Sequence, residues 1–408
     1  MRVIVNYQLT HQSTSHILIW ETNDSTFVRQ IDNKKASDIN EVIVGLKPDT
    51  NYSFRIETNC GNKSEILSFQ TEQFPYEEMN KLSLIKDSGA FKGYLLFHTA
   101  IKSGGQILSI INDDGQVVWY EYLPKPSSTF SWTSDNTIVA LLEMDQMIEI
   151  DLKGNILFQS SYGSDGFQEK MHHEIRKNEA GEYYGITYHG LILDENQRAK
   201  YNTDSLTTDG IVVLNSENQI VWKWNLFDVE LPNPDTLSIK TKMIDDWAHA
   251  NAVWQDSNRD FYISFRNFSQ IWKIDFETGN VLWKLGQNGT INIDEASIFH
   301  QQHAVVQLAN GHLLLYDNGD RYTQITRALI FDINSSNLTS ELVRDYKLPV
   351  RLHSFKRGNA VPANDELMLL NSSMTDVAAI LDVYDSIQFE VRLPNSSYRV
   401  EYLPTLDF

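Results

Sequence analysis

Short apolar runs separated by polar turns predict that the chain is β-structure almost throughout. Residues 16–71 contain five such runs: HILIWET, FVRQI, EVIVGL, NYSFRIET and EILSFQT. Closely spaced short strands with frequent turns are typical of a β-sandwich, in which Trp20 and Tyr52 are the expected core aromatics. Pro75 and the polar residues around it interrupt the strand pattern. We therefore predict a small β-sandwich domain over residues 1–74; the alternative is that this segment belongs to the main domain.

From Lys81 onward, a repeat with two kinds of hairpin predicts a second, larger domain. One kind joins its strands through an acidic or polar turn, as in SIINDDGQVVWYEY, and the other comes earlier in each unit, as in HAVVQLANGHLLLYDN. A unit of four strands spans about 55 residues, so that six units fill residues 81–408. We expect an all-β fold with a six-bladed β-propeller, closed by YLLFHTA together with AAILDVY or FEVRL. A β-solenoid or a large sandwich is the alternative.

Three histidines stand at the start of the first strand of a repeat unit. They are His173 in MHHEI, His249 in WAHANAV and His303 in QQHAVV. The first strand of each propeller blade lies nearest the central channel, so side chains at strand starts of different blades are expected to converge. Alternation along a strand predicts that Asn251 shares the face of His249 and that Gln301 shares the face of His303.

The expected cavity is cationic and rich in hydrogen-bond donors. Arg266 ends FYISFR, the partner strand of the His249 hairpin, and its guanidinium is expected at the same cavity. A single histidine at a strand start is usually a structural hydrogen-bonding group, but three at one position of the repeat favour a functional site. Five other histidines lack this regularity and are interpreted as structural: His172, His189, His300, His312 and His353. Because His172 adjoins His173, either of the two is a candidate for the site.

Three histidines and an arginine permit two kinds of chemistry. Some catalytic zinc sites use three histidines and a water molecule, but the chain has no His-x-His or His-Glu-x-x-His spacing to support a metal. A neutral imidazole is instead a nucleophile near neutral pH, and it can take an electrophilic group from a donor and pass it to an acceptor. If the group is an anionic sulfuryl, an arginine and N–H donors stabilise its oxygens.

Composition narrows the possible partners. The net charge is −20 and no basic run occurs, which argues against nucleic acid and anionic membranes as partners. The one cysteine, Cys60, rules out an internal disulfide and a cysteine-based zinc site, and it lies in a predicted strand. No apolar stretch reaches the roughly 18 residues of a membrane span, and the start MRVIVNYQLTHQST lacks a signal-peptide pattern. The compartment therefore stays open: periplasmic or secreted if a leader was removed, otherwise cytoplasmic.

Around these histidines the chain resembles the bacterial-type arylsulfotransferases, which work without the nucleotide sulfate donor. The similar runs are HHEIRKNEAGEYYGITYH, DWAHANAVWQDSNRDFYISFRNFSQIWKIDFETGNVLWKLG and FHQQHAVVQLANGHLLLYDNG, with a looser likeness at GYLLFHTA. The resemblance implies a six-bladed propeller behind an N-terminal β domain. It also implies ping-pong transfer of a sulfuryl group from a phenolic sulfate ester to a phenol through a sulfohistidine. It implies neither a metal nor a nucleotide cofactor.

Residue by residue, the resemblance assigns roles to five positions. His303 corresponds to the nucleophile, and His249 and His173 correspond to groups that exchange protons with the phenolic oxygen. Arg266 and Asn251 correspond to residues that hold sulfuryl oxygens. The partners implied are a small phenolic sulfate donor and a phenolic acceptor.

The N-terminal run GLKPDTNYSFRIETNCGNKSEILSFQT, with Trp20 upstream, resembles a fibronectin type III domain. Together the two likenesses predict residues 1–74 as a fibronectin type III-like sandwich and residues 81–408 as an arylsulfotransferase-like propeller. Two other functions are alternatives. The first is a non-catalytic propeller that binds sulfated or other anionic ligands, and the second is a metal-assisted hydrolase.

Overall fold

The fold is almost entirely β-structure, as the apolar and polar pattern predicted. A computed structural model describes residues 1–164, 167–233, 246–320, 322 and 324–406. The helices in these residues are short: α1 (Glu195–Tyr201) and 3₁₀ turns at Glu77–Lys81, Leu226–Asp228, Arg266–Phe268, Glu295–Ser297, Val350–Leu352 and Ser373–Thr375. Within the described ranges, none of them has the length and apolar character to cross a membrane.

Residues 1–74 form a sheet whose strands are fewer and longer than the sequence predicted. Its strands are β1 (Val3–Glu21), β2 (Asp24–Ile43), β3 (Asn51–Thr58) and β4 (Leu67–Gln70), in the order β2–β1–β3–β4. The runs FVRQI and EVIVGL were expected as separate strands. Instead, β2 contains all of FVRQI and ends at Ile43, within EVIVGL. No break occurs because β2 contains neither glycine nor proline. Cys60 also differs from expectation, since it lies exposed in the turn after β3.

The long hairpin of β1 and β2 bends near its middle, so that its two halves pack against each other. Val5 and Ile17 both lie on β1 and both belong to one apolar cluster, together with Ile43 and Tyr52. Twelve residues of straight strand would separate Val5 from Ile17 by about 40 Å, so β1 must bend between them. The pairing of β1 with β2 breaks its register between Gln8 and Ser15, and such bulges bend strands. The bend brings two layers together around this cluster.

The corner before β3 has the hydrogen bond that ties a tyrosine corner. The Lys47 backbone N–H donates to Tyr52 Oη at 2.9 Å, and Tyr52 is buried, as predicted for a core aromatic. Trp20 differs from the prediction. It is only half-buried and lies outside the cluster, because its neighbour Ile19 takes the core-facing position of the strand.

The remainder of the chain supplies the other 25 strands of the described residues. They are β5 (Ser83–Asp87), β6 (Tyr94–Ala100), β7 (Gln106–Asn112), β8 (Val117–Leu123), β9 (Ser127–Trp132), β10 (Ile138–Leu142), β11 (Gln146–Ile150), β12 (Ile156–Ser161), β13 (Met171–Lys177), β14 (Tyr183–Ile192), β15 (Ser205–Leu214), β16 (Ile220–Asn225), β17 (Ala250–Gln255), β18 (Phe261–Phe265), β19 (Gln270–Ile274), β20 (Val281–Gly286), β21 (His303–Gln307), β22 (Leu313–Asp317), β23 (Arg327–Asn334), β24 (Thr339–Lys347), β25 (Ala360–Pro362), β26 (Met368–Ser372), β27 (Val377–Leu381), β28 (Ile387–Arg392) and β29 (Val400–Leu403).

These strands form consecutive antiparallel sheets. Strands β9–β12, β13–β16, β17–β20 and β21–β24 each make a four-stranded meander. Two further sheets join the two ends of this region, with the orders β25–β26–β27–β28–β5 and β29–β6–β7–β8. The closing strand is therefore β29, next to YLLFHTA in β6. The predicted closing runs AAILDVY and FEVRL lie instead in β27 and β28, one sheet earlier.

The first strands of successive sheets lie side by side. Strand β13 contacts β9 and β17, β17 contacts β21, and β25 contacts both β22 and β29. Apolar side chains fill the spaces between sheets; one cluster joins Ile186 and Val213 to Ile263 and Trp272 of the next sheet. The sheets are thus arranged in a propeller-like manner, with their first strands gathered together. Side chains at the starts of these strands are held on a rigid frame.

Candidate active site

The first strands that carry the predicted histidines are irregular near their starts. Opposite the second strand of each sheet, the pairing skips residues between His172 and Ile175, between Ala250 and Ala252, and between His303 and Val305. The backbone adopts positive φ at His173 (59°) and His249 (54°). Bulges of this kind turn side chains away from the regular alternation. The local backbone therefore changes the direction of these histidine side chains from that of a regular strand.

These irregularities make part of the repeat prediction wrong. His303 is the first residue of β21, His173 is the third of β13, and His249 precedes β17 by one residue, so they do not share one position of the repeat. The predicted common face of His249 and Asn251 does not apply across the bulge, where Asn251 is the residue skipped by the pairing. Gln301, predicted on the face of His303, is exposed with a positive φ.

The histidine rings nevertheless meet. The ring centroids of His173 and His249 are 4.9 Å apart. The ring of Tyr398, just before β29, lies 5.9 Å from that of His173 and 6.3 Å from that of His303. Three sheets and the C-terminal segment thus supply the walls of one histidine pocket, defined by His173, His249, His303 and Tyr398.

Hydrogen bonds fix the tautomer of His303. Asn318 Nδ2 donates to the backbone oxygens of Ser354 and Arg357 at 2.6 and 2.8 Å, so Asn318 Oδ1 must face His303. That oxygen lies 2.6 Å from His303 Nδ1, which therefore carries the proton. The backbone N–H of Arg357 donates to His303 Nε2 at 3.2 Å, as a lone pair at Nε2 requires. His303 thus has its proton on Nδ1 and an unprotonated Nε2, whose lone pair accepts from Arg357.

Burial and positive neighbours keep His303 neutral. Its side chain is 2% exposed, and burial, together with the charge of Arg399, holds its pKa well below the usual value for histidine. The guanidinium of Arg399 is itself buried and donates to the oxygens of Gly358 (2.6 Å), Glu174 (3.1 Å) and Asn251 (3.1 Å). A fixed, paired cation therefore lies beside the histidine pocket.

His249 has an acidic partner. Its Nδ1 lies 2.7 Å from Asp246 Oδ2, and the Asp246 backbone oxygen accepts from Asn267 Nδ2 at 2.8 Å. Arg266 opens a 3₁₀ turn directly after β18, and its backbone N–H donates to His249 O at 3.0 Å. The guanidinium of Arg266 donates to Gln301 Oε1 at 2.8 Å and to Asn267 Oδ1 at 3.2 Å. Arg266 and His249 thus lie next to each other.

Asn251 is fully buried and held by the next strand. Its Nδ2 donates to Gln302 O at 2.7 Å, while its Oδ1 has no hydrogen-bond partner. One of the two side-chain N–H groups of Asn251 therefore joins β17 to the segment before β21, and the other has no described acceptor.

His172 and His173 both belong to the pocket. Their Nδ1 atoms are 2.7 Å apart, and the His172 ring stacks on Tyr188 with centroids 4.0 Å apart. The structural interpretation therefore fits His172 poorly. The other four histidines interpreted as structural, His189, His300, His312 and His353, make no described ring contact or hydrogen bond with the pocket histidines.

Sequence reasoning missed six residues of the pocket and its surroundings: Glu174, Asp246, Asn318, Arg357, Tyr398 and Arg399. Asn318 lies within the Tyr-Asp-Asn-Gly end of the His303 hairpin, so the motif contained it. Tyr398 and Arg399 come just before β29, and placing the ring closure one sheet too early hid them. Glu174 and Asp246 adjoin predicted histidines, and only the three-dimensional contacts reveal their partners.

A large cavity lies away from the histidine pocket. Its volume is about 830 Å³, and Lys177, Gln255, Gln307 and Glu401 are among its lining residues. Three of these end β13, β17 and β21, so this cavity is at the opposite ends of the strands that begin near the histidines. None of the five predicted site residues lines it.

The residues of the pocket do not form a ready metal site. Among the residues that the structure describes, no group of three His, Cys, Asp or Glu side chains is placed to hold a metal ion.

Comparison with known proteins identifies the family of this chain. The family model described as Arylsulfotransferase (ASST) matches residues 81–401, which is most of the chain. The chain belongs to the arylsulfotransferase family. The family assignment supports sulfuryl transfer in general, with small aryl compounds as substrates. No curated protein sequence matched the chain.

Solved structures with a similar fold are distant in sequence. A protein of unknown function from Bacteroides caccae is 12% identical, and the alignment covers 77% of this chain and 100% of that chain, with a TM-score of 0.50. A streptogramin B lyase is 13% identical over 76% of this chain and 87% of its own, with a TM-score of 0.42. Virginiamycin B lyase from Staphylococcus aureus is 14% identical over the same shares, with a TM-score of 0.40. At these identities only the fold is comparable.

Proposed function

We propose that the protein transfers a sulfuryl group from a phenolic sulfate ester to a phenolic acceptor through a covalent intermediate on His303. The observation that carries this proposal is the setting of His303. Its Nδ1–H is tied to Asn318, its Nε2 carries no proton and accepts from the backbone N–H of Arg357, and its pKa is held low, so the ring is a neutral imidazole, the form that acts as a nucleophile. Attack by Nε2 on sulfur gives a sulfohistidine, which the acceptor phenol then consumes in the second half of a ping-pong cycle.

Donors around His303 suit the sulfuryl oxygens. The Arg357 N–H lies 3.2 Å from Nε2, so a sulfuryl group bonded to Nε2 would place an oxygen within its reach. The Arg266 guanidinium binds the exposed Gln301 side chain, a contact that an anionic group can replace. The second N–H of Asn251 is assigned to another oxygen. Electrostatic stabilisation by such fixed donors is commonly the largest contribution to acyl and phosphoryl transfer, and the charge distribution of sulfuryl transfer is similar.

Proton transfer is assigned to His173 and His249. A phenolate leaving group has a conjugate-acid pKa of about 10, so a positioned acid lowers the barrier to its departure. The rings of His173 and His249 are in contact with each other, and the His173 ring and the His303 ring both lie against Tyr398. In this proposal, His173 and His249 donate a proton to the leaving phenolate and take one from the acceptor phenol.

The same proposal includes a finer description of the fold. We infer that the six sheets after residue 81 are the six blades of a closed propeller, sealed where β29 pairs with β6. Residues 1–74 are then a separate fibronectin type III-like domain, supported by the folded-over β1–β2 hairpin and by the Lys47–Tyr52 hydrogen bond.

Turnover of 4-nitrophenyl sulfate with phenol as acceptor tests the function. The protein is expected to release nitrophenolate in a phenol-dependent manner, and His303→Asn is expected to lose at least ~10³-fold of the rate because the nucleophile is absent. His312→Asn, a change in an exposed turn, serves as the control and should keep full activity. Binding of the sulfate ester without turnover would instead support the non-catalytic propeller. Loss of activity on exhaustive chelation would support the metal-assisted hydrolase.

A further inference from the structure

A carboxylate lies behind the two adjacent histidines of the pocket. His172 Nδ1 is 2.7 Å from His173 Nδ1, and the other ring nitrogen, His172 Nε2, is 3.1 Å from Asp209 Oδ1. His172 is 1% exposed and Asp209 is 3% exposed, so water does not screen this line of groups. Asp209, His172 and His173 together form a row, called the relay below, that ends in the histidine pocket.

Several contacts hold the relay in place. Asp209 Oδ2 accepts from the backbone N–H of Ala250 at 2.8 Å, which joins the relay to the residue after His249. The ring of His172 stacks on Tyr188. The Asp209 oxygen near His172 lies off the ring N–H direction, so this contact is an ion pair rather than a linear hydrogen bond.

A short contact between two Nδ1 atoms requires one proton between them, donated by one ring to the other. If His172 donates, it is an imidazolium paired with Asp209, and His173 carries its own proton on Nε2. If His173 donates, both rings are neutral and His173 Nε2 is an unprotonated base. The two states differ by one proton, and in both of them His173 itself is neutral.

The charges around His173 disfavour a positive charge on His173 itself. His173 faces His172 on its own strand, His249 before β17, His303 on β21 and Arg399 before β29; Glu174, also on β13, is paired with Arg399. Burial and these cationic neighbours hold the pKa of His173 well below its usual value. On the side of His172 away from the pocket lie Asp209 and Tyr188, and Asp246 lies near Tyr188.

We propose that the relay of Asp209 and His172 stores the proton that His173 exchanges with the phenolic oxygen between the two half-reactions. This inference rests on the proposed function. His172 and Asp209 act through His173 and are positioning residues, whereas His173 touches the substrate oxygen. An amide fixes the orientation of His303 without adding a negative charge, while a carboxylate behind His172 provides a place for a positive charge.

The proton balance of the first half-reaction is complete within the relay. His303 Nε2 forms a bond to sulfur, the ester S–O bond breaks, and the electron pair stays on the phenolic oxygen. That oxygen takes the Nε2 proton of His173, and the Nδ1 proton of His172 moves to Nδ1 of His173. His172 ends neutral with its proton on Nε2. In the second half-reaction the acceptor phenol oxygen bonds to sulfur while the Nε2–S bond breaks and its electron pair returns to His303 Nε2. The phenol gives its proton to His173 Nε2, and the Nδ1 proton returns to His172.

Donors with different leaving groups test the relay. Asp209→Asn keeps the shape of the side chain but removes the charge that stabilises the His172 imidazolium. The variant is expected to form sulfuryl-enzyme ~100-fold more slowly than the wild type from phenyl sulfate, which needs a proton on its leaving oxygen. From 4-nitrophenyl sulfate, whose phenolate leaves without help, we expect a loss of about threefold or less. Single-turnover release of the phenol measures both rates.

A second variant and a control separate this outcome from misfolding. His172→Gln cannot pass a proton and should show the same dependence on the leaving group, and combining it with Asp209→Asn should add little. Glu149→Gln removes another buried carboxylate, hydrogen-bonded to Thr137 and Tyr183 outside the pocket, and should slow neither donor selectively. Equal losses for both donors in both relay variants would overturn the relay. If the wild type forms no sulfuryl-enzyme from either donor, the proposed function fails instead.

Discussion

The histidines of the pocket are held by two different kinds of partner. His303 donates to the amide oxygen of Asn318, whereas His249 contacts the carboxylate of Asp246 and His173 reaches that of Asp209 through His172. An amide fixes a tautomer without adding charge, while a carboxylate also stabilises an imidazolium. Three histidines of one pocket can therefore differ in chemical role. The amide partner of His303 suits a neutral nucleophile, and the carboxylates near His249 and His172 suit general acid and base catalysis.

Replacing the amide partner of His303 by a carboxylate should have the largest effect. Asn318→Asp places a negative charge at Nδ1 of His303, which raises the pKa of His303 and favours the imidazolium, a form without a lone pair at Nε2. We expect turnover of 4-nitrophenyl sulfate to fall ~100-fold at pH 6 and to recover about tenfold by pH 8. The pH profile of kcat/KM measures the effect.

Asn318→Ala is the matched variant for that experiment. Like the aspartate, it loses the hydrogen bonds to Ser354 and Arg357, and it also loses the one to His303. Because it adds no charge, its loss of rate should not depend on pH in this range. Parallel pH profiles for the aspartate and alanine variants would contradict the account of how His303 is kept neutral. Thermal unfolding of each variant confirms that it is folded.

A smaller effect is expected from removing the carboxylate of His249. Asp246→Asn removes the carboxylate that lies 2.7 Å from His249 Nδ1 and orients its ring, so kcat/KM for phenyl sulfate should fall about tenfold at pH 7. Asp204→Asn, at a side chain that is 88% exposed, is the control and should match the wild type. An unchanged kcat/KM for phenyl sulfate in Asp246→Asn would show that this carboxylate has no part in the reaction.

The mildest test uses a buried histidine that has no acidic partner. His98 is 5% exposed, its Nε2 accepts from the Tyr398 backbone N–H, and its Nδ1 has no hydrogen-bond partner. Burial lowers its pKa to about 4. Because the unfolded chain takes up this proton near pH 6.5, the contribution of His98 to stability is present above that pH and is lost as the pH falls toward 4.

His98→Gln keeps an acceptor for Tyr398 but does not titrate. Between pH 7 and pH 5 the wild type should lose about 2 kcal/mol of unfolding free energy more than this variant. Urea unfolding at both pH values measures the difference. If the two proteins lose the same amount, His98 is not held neutral by burial.

The sequence predicted the β-class, the repeat and the histidine pocket because these depend on local patterns. The Asn-Gly hairpin after His303 and the alternating strands of the middle sheets are examples. It predicted the wrong closing strand because AAILDVY and FEVRL have the same apolar character as Val400–Leu403, and only pairing with β6 distinguishes them. It also missed the bulges at His173 and Asn251, since no Gly or Pro marks them. The N-terminal prediction of separate strands failed because a long bent hairpin contains the same runs.

The residues that tune the pocket were beyond sequence reasoning for a different reason. Arg399 lies just before the last strand and Asp209 in the third strand of its sheet, and each reaches a histidine distant in the chain. Their effect on charge depends on burial and distance, which the order of residues does not encode. A polar residue beside a strand is ordinarily solvated, and only the packed sheets remove the water that would screen it.

Intact-mass analysis after brief mixing with an aryl sulfate, without acceptor, tests the central claim most directly. The account predicts a gain of one sulfuryl group, mapped to His303 by peptide analysis at neutral pH and removed when phenol is added. His303→Asn should show no gain, while Asp209→Asn should still gain the group from 4-nitrophenyl sulfate. A sulfuryl group on another residue, or turnover without any covalent gain, would contradict the assignment of His303 as the nucleophile.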